Sequence, residues 1–261
     1  MNLDDYQDDQ RKRICVYGDP FTGKTTLVAK LAAKFKLKWL DLEHGASSIL
    51  ANVPKEFHKN IDLIQIPDSK LNPMAAETVL KIFKNAACHI CTIHGKVSCP
   101  ICAKEALATF SDLDLRTLGK DDIVVIDSAT QFANSIMSHI TRAQKDDHRP
   151  EWDDYAVQGR LLDVVFTAMQ GGHYNCVWIS HAAMVGTEKS EKITKLVPIG
   201  GTTSYSRTFS KFFDDVVYCE LLNGKHKFTS KTGASPQVIT GSKNNIAIED
   251  MAVPSLIPFF S

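Results

Sequence analysis

Apolar positions change period several times along the 261 residues. Residues 13–19, RICVYGD, alternate Ile14 and Val16 with other residues, which predicts a short buried strand. In TTLVAKLAAKFK, Leu27, Val28, Leu31 and Ala32 recur at helical spacing. Further strands are predicted at Trp39–Leu42 and over 61–68, IDLIQIPD. Asn72 followed by Pro73 predicts a helix start, with Asn as the cap and Pro at the first helical position, running to about Ala86. A cysteine cluster at 88–102 interrupts the pattern, and AKEALATFSDL resumes it as a helical piece. DDIVVIDS (121–128) is a continuous apolar run that predicts a central parallel strand. Phe132, Ile136 and Ile140 share one face of a following helix, and a second helix is expected from near Tyr155 to Gln170, stopped by Gly171 and Gly172. CVWISH (176–181) is another strand, residues 184–206 a long polar loop or hairpin, and FDDVVYCELLNGKHKFTSK two strands joined at Asn223-Gly224. Strands alternating with helices predict a mostly parallel sheet covered on both faces, with antiparallel strands added at the C-terminal end.

The stretch from 18 to 26, GDPFTGKTT, lies between the first strand and the first helix. It places Gly18, Gly23, Lys24 and Thr25 as G-x-x-x-x-G-K-T, and strand–loop–helix is the context of a phosphate-binding P-loop. Backbone N–H groups of Gly18, Asp19, Pro20's neighbours Phe21 and Thr22, and Gly23 would face phosphate oxygens, helped by the helix N-terminus at Lys24, Thr25 and Thr26. Lys24 would reach the β- and γ-phosphates and Thr25 would ligate Mg²⁺. Asp127, at the tip of a buried strand, suits a Mg²⁺ partner or a helix cap. Two residues could orient a water, Glu43 after the second strand and His181 at the end of CVWISH.

Lys and Arg together number 30, as do Asp and Glu, so the formal net charge is zero and any nucleic-acid binding must come from local patches. The N-terminal MNLDDYQDDQRKR has no apolar signal region and no run is long enough to cross a membrane, so a cytoplasmic protein is expected. Four of the seven cysteines form Cys88-x-x-Cys91 and Cys99-x-x-Cys102, separated by seven residues. Two such knuckles can hold Zn²⁺ in a closed structural site, tying down an insertion over 86–104; buried or redox-active thiols are the alternative. His89 and His94 are further possible ligands, and Cys15, Cys176 and Cys219 read as core residues. The tail EDMAVPSLIPFFS is expected to pack on its own domain.

LDLEHG, IVVIDSAT, VWISH, the Gly200-Gly201 loop and VITGSKNNIA occur in the order of motifs in the RecA core, from Arg13 to Ile257. The chain resembles the phage RecA-like single-strand annealing ATPases. That resemblance implies a RecA-like P-loop NTPase core, here in a single domain over 1–261; the zinc-knuckle insertion read from the cysteine spacing has no counterpart in RecA itself. It implies ATP hydrolysis with Glu43 as the water activator and Asp127 as the Mg²⁺-associated aspartate. His181 stands where such proteins carry a γ-phosphate-sensing glutamine. Lys243 matches a lysine that reaches a neighbour's ATP, and Asn245 stands where a second lysine is usual. Two loops would face DNA: Arg142, Lys145 and Arg149 in 142–154, and Lys189, Lys192, Lys195, Tyr205 and Arg207 in 185–207. Composition alone reads both as solvated loops. The implied partners are single-stranded DNA, further copies in a ring or filament with ATP at the interfaces, and a single-stranded-DNA-binding protein. A RecA-like switch acting on protein partners, or a helicase-type motor, are the rival functions.

Overall fold

The computed structural model describes residues 11–84, 87–104, 109–144, 148–187, 190–233 and 235–260. Most of the acidic N-terminal segment, the expected helix end at Ala86, and Lys145 and Lys189 therefore lie outside the described residues.

The chain begins with β1 (Arg13–Gly18), α1 (Lys24–Ala29), β2 (Lys36–Asp41), α2 (Ala46–Asn52), β3 (Ile61–Gln65) and α3 (Met74–Ile82). A short antiparallel pair follows, β4 (Cys88–Cys91) and β5 (Phe110–Leu113). Then come β6 (Asp122–Asp127), α4 (Ala129–Thr141), α5 (Trp152–Gln170), β7 (Asn175–Thr187), β8 (Ser190–Pro198) and α6 (Thr203–Thr208). The chain closes with β9 (Asp215–Leu222), β10 (Lys225–Thr229) and β11 (Gly241–Ser242).

The described residues form a nine-stranded sheet whose main path runs β10-β9-β1-β7-β6-β2-β3, with β11 on β9 and β8 on β7. From β9 to β3 along that path every pairing is parallel. β8, β10 and β11 are antiparallel additions. The central strands β1 and β6 are buried on both faces, which is why 121–128 reads as continuously apolar, whereas the edge strand β3 is largely open.

One face packs Leu27, Val28 and Ile49 of α1 and α2 against Ile14, Val16, Trp39 and Val125. The C-terminal tail joins this layer as expected: Leu256 and Phe259 are buried, and the Phe260 ring lies 5.3 Å from that of Phe35. The other face carries α3, α4, α5 and α6 over Cys15, Tyr17, Val124 and Trp178. Its centre is aromatic, with Phe166 4.8 Å from Trp178, 4.8 Å from Phe209 and 5.3 Å from Phe212, ring centre to ring centre. Cys15, Cys176 and Cys219 are fully buried, as expected.

Several boundaries differ from the sequence reading. Pro73 sits at the N-cap of α3, and Asp68 Oδ1, not Asn72, accepts from the Ala75 amide at 2.9 Å. α5 starts at Trp152, three residues early, because Glu151 and Asp154 form a reciprocal capping box. The 184–206 segment is mostly ordered as the β7–β8 hairpin and α6. Phe110–Leu113, expected to be helical, is strand β5, because pairing with β4 overrides local propensity.

Phe166→Ala should lower the unfolding free energy by about 3–5 kcal/mol, as expected for a buried Phe whose neighbours cannot collapse into the space. Chemical denaturation measures it, and a loss under about 1 kcal/mol would contradict this account of the core.

Candidate functional site

Parallel pairing aligns the C-terminal ends of β1, β2 and β6 with points along β7 and β9. Gly18 of β1 lies beside His181 of β7 and Cys219 of β9, and Asp41 of β2 lies beside Asp127 of β6. A Cβ on Gly18 would stand 2.1 Å from the Cys219 carbonyl oxygen, so the chain can turn into the loop there only without a side chain. The loop and its surroundings enclose a cavity of about 460 Å³, lined by Lys24, Thr25, Glu43, Asp127, His181 and His226 among others.

Lys24 Nζ donates to the carbonyl oxygens of Gly18 at 3.0 Å and Asp19 at 2.7 Å. Burial lowers its pKa, so the ammonium is held by backbone oxygens that a phosphate would replace. Thr22 Oγ1 donates to the Asp19 carbonyl at 2.8 Å, and Thr25 Oγ1 donates to Asp127 Oδ2 at 3.1 Å. The Phe21 side chain is 92% exposed, at the open mouth of the loop. The hard oxygens of Thr25 and Asp127, one hydrogen bond apart and beside a phosphate cradle, fit Mg²⁺. They would hold it through a hydroxyl and a carboxylate, leaving its other positions to water and phosphate.

Asp127 is buried, and its pKa is pushed up to about 7 by desolvation, then by the nearby charges of Glu43 and Asp41. Glu43 behaves oppositely. Burial alone would raise it, but hydrogen bonds from His181 and Ser128, with Lys24 nearby, hold it below the usual range. Its carboxylate accepts from Ser128 Oγ and, at 3.2–3.3 Å, from His181 Nε2. Ser128 also caps α4, accepting from the Gln131 amide at 3.2 Å. His181 is fixed from behind by its amide, which donates to Thr130 Oγ1 at 3.0 Å.

The P-loop, Glu43, Asp127 and His181 thus converge on one cavity. Lys243 does not join them. Its neighbour Ser242 pairs with Asp215, which pairs with Ile14, so it lies at the opposite edge of the sheet, ion-paired to Asp214 of its own chain. The expected DNA residues are spread over separate elements. Arg142 is paired to Glu77 of α3, and Arg149 is exposed before α5. Lys192 and Lys195 lie on β8, and Arg207 is half-buried on α6. Tyr205 donates to Asp163 Oδ1 at 2.9 Å, with its ring stacked near Phe212, so it is occupied by packing.

The expected four-cysteine metal set is corrected. Among the described residues the donor atoms that gather are those of Cys91, His94, Cys99 and Cys102, all within 4.8 Å of one another. Cys88 and Cys91 are three apart on strand β4 and so point to opposite faces. Cys88 joins Ile90 and Leu113 in the main core, where burial raises its thiol pKa.

Three contributors are absent from the sequence reading. Asp41 is fully buried and accepts from the amides of Glu43, Gly45 and Ala46 at 3.0–3.3 Å, fixing the turn that presents Glu43. An Asp four residues before a Gly that opens a helix is a legible turn signal. Ser128 follows a strand and precedes a helix, a usual N-cap position, but nothing local reveals its bond to Glu43. His226 comes over Gly23 from β10, which only the tertiary fold discloses.

Residues 10–243 match the model of a family described as AAA domain. Among solved structures, the chain is similar to a prototypical ATPase from the type III secretion system of pathogenic bacteria (TM-score 0.43, 14% identity, covering 80% of this chain and 51% of that one). It is also similar to the assembled ATPase EscN from the type III secretion system of enteropathogenic E. coli (TM-score 0.44, 15% identity, covering 80% of this chain and 43% of that one). The chain spans about half the length or less of these structures. No curated protein matches it.

Asp127 has a raised folded pKa, so its contribution to stability is complete below about pH 4 and is lost as pH rises through about 7. In nucleotide-free protein Asp127→Asn should therefore gain stability relative to the parent between pH 5 and 8, by about 2–4 kcal/mol at the upper end. Denaturant unfolding across that range checks it; a flat difference would refute the assignment.

Proposed function

We propose, for a chain that belongs to the AAA domain family and is a P-loop ATPase, a nucleotide-driven switch that binds single-stranded DNA and promotes its annealing or pairing. The observation that carries this reading is the contact between Glu43 and His181. Glu43 lies beside the phosphate cradle. His181 begins the outer half of β7, which continues without a break into the β7–β8 hairpin bearing Lys192 and Lys195. A γ-phosphate entering between Lys24 and Glu43 competes for the same polar groups, so the carboxylate–imidazole pair must rearrange. That rearrangement is transmitted to the hairpin through a strand, not through a flexible loop.

In this reading the amides of residues 18–26 and the Lys24 ammonium bind the triphosphate. Thr25 and Asp127 would hold Mg²⁺, which would supply positive charge to the phosphate oxygens. Glu43, kept ionised by its neighbours, releases His181 and Ser128 and takes the proton of the attacking water. His181 reports the occupancy of the γ-phosphate position. Lysines on the hairpin neutralise DNA phosphates, and pairing itself needs no covalent chemistry. Lys243 serves the pocket of a neighbouring copy in a ring or filament, since its own pocket is at the other end of the sheet. A single-stranded-DNA-binding protein is the hand-over partner in this reading.

Glu43→Gln should reduce ATP turnover about 10²–10⁴-fold while sparing ATP binding, read by phosphate release and by binding of a fluorescent nucleotide. Unchanged turnover would remove Glu43 from the water-activating role.

Labelled single-stranded DNA should bind more tightly with ATP than without it, more weakly as salt rises, and without nucleotide dependence in His181→Ala. Nucleotide-independent or absent DNA binding by the parent protein would reject this reading in favour of a switch acting on proteins.

A further inference from the structure

Between α3 and β6 the chain leaves the main sheet to form β4, β5 and the loops joining them. Two four-residue strands do not form a stable unit in water by themselves. On the side turned away from the main sheet, their interior holds the three buried thiols of Cys91, Cys99 and Cys102, with the partly buried Phe110 ring against them. Among the described residues that is little apolar surface for this side of the pair, whose other side packs Cys88, Ile90 and Leu113 into the main core.

We infer that Zn²⁺ binds Cys91, His94, Cys99 and Cys102 and stands in for the missing core of this segment. The donors are three sulfurs and one imidazole nitrogen, a soft-to-borderline set that suits Zn²⁺. His94 Nδ1 lies 3.1 Å from Cys102 Sγ and 3.6 Å from Cys99 Sγ. Tetrahedral Zn–S and Zn–N bonds place such atoms about 3.5 Å apart. The His94 amide also donates to Cys91 Sγ at 3.3 Å, an N–H of the kind that supports a metal-bound thiolate. With Cys91, Cys99 and Cys102 buried and all four positions taken by protein, the site is closed and structural, not catalytic.

The next residue explains how the site is anchored. Gly95 has φ 61°, and a Cβ there would lie 2.7 Å from Ile66 Cα, so only glycine lets the ligand loop press against the end of β3. The Gly95 carbonyl accepts from Thr78 Oγ1 of α3 at 2.6 Å, and its amide donates to the Cys91 carbonyl at 2.9 Å. The metal loop is therefore seated directly on β3 and α3. The strand period that puts Cys91 into the site turns Cys88 away from it. The ligand motif is C-x-x-H-x₄-C-x-x-C, not a pair of C-x-x-C knuckles.

Zinc content and the zinc K-edge absorption spectrum of the purified full-length protein test this. About one zinc per chain is expected, with a shell of three sulfurs and one nitrogen. Cys88→Ser should keep its zinc, His94→Cys should keep it with a fourth sulfur in the shell, and Cys99→Ser should lose it. The parent spectrum needs no variant to fold, so it decides the ligand set independently. A parent protein with well under one zinc per chain overturns the inference. So does a four-sulfur shell in the parent, or loss of zinc in a folded Cys88→Ser protein. None of these readouts depends on ATP or DNA.

Discussion

The nucleotide pocket is built around an imbalance of charge. Asp41, Glu43 and Asp127 crowd one sheet edge, with Lys24 as the ammonium lining the same cavity. Each carboxylate meets this constraint differently. Asp41 spends its oxygens on three backbone amides and becomes a fixed part of a turn. Glu43 stays ionised because Ser128 and His181 donate to it. Asp127, fully enclosed, shares its proton with solvent near neutrality. Lys24 folds back onto the Gly18 and Asp19 carbonyls. Apart from His181 Nδ1, which is buried without a hydrogen-bond partner, these groups satisfy one another, and a ligand bringing both phosphate and a divalent cation substitutes for bonds already present.

The same contacts tie the pocket to the two elements beyond it. Ser128 holds Glu43 with the oxygen that also caps α4, so the Glu43 carboxylate and the helix start share one hydroxyl. α4 is in turn pinned to α3 through Asp68, which accepts from Gln131 Nε2 and Ser135 Oγ, both at 2.8 Å. His181 extends the connection outward along β7. The path from the phosphate site to the hairpin is a continuous strand, and the path to α3 is a chain of short polar bonds.

Much of this pocket is legible in the sequence alone. The phosphate loop and the strand-end acids stand out because their function requires fixed spacing next to a strand or helix with strong periodicity. The sheet order is legible only as a class. What stays hidden depends on contacts distant in sequence. His226 reaches Gly23 across more than 200 residues, and β5 pairs with β4 in a segment whose local pattern favours a helix. The gathered Cys/His donor set is half legible. The cysteine spacing is conspicuous, yet strand alternation at β4 exchanges Cys88 for His94, and that alternation is invisible until the segment is known to be extended. Tyr205 packs with Phe209 and Phe212, four and seven positions on, a helical spacing that becomes readable only once 203–212 is known to be helical instead of part of a loop.

Asp214 has a consequence of its own. At the foot of β1 this carboxylate holds both the Arg13 guanidinium and the Lys243 ammonium, while the phosphate loop leaves from the top of the same strand. If Lys243 served a neighbour's phosphate site, it would leave one molecule at its base and arrive at the head of the next. The two surfaces are different, so such contacts are directional and do not exhaust themselves in a pair. They propagate until the rotation between copies closes a circle, or run on as a fibre. Each junction formed would also surrender Asp214 to Arg13 alone, making the foot of β1 a marker of whether a neighbour is present.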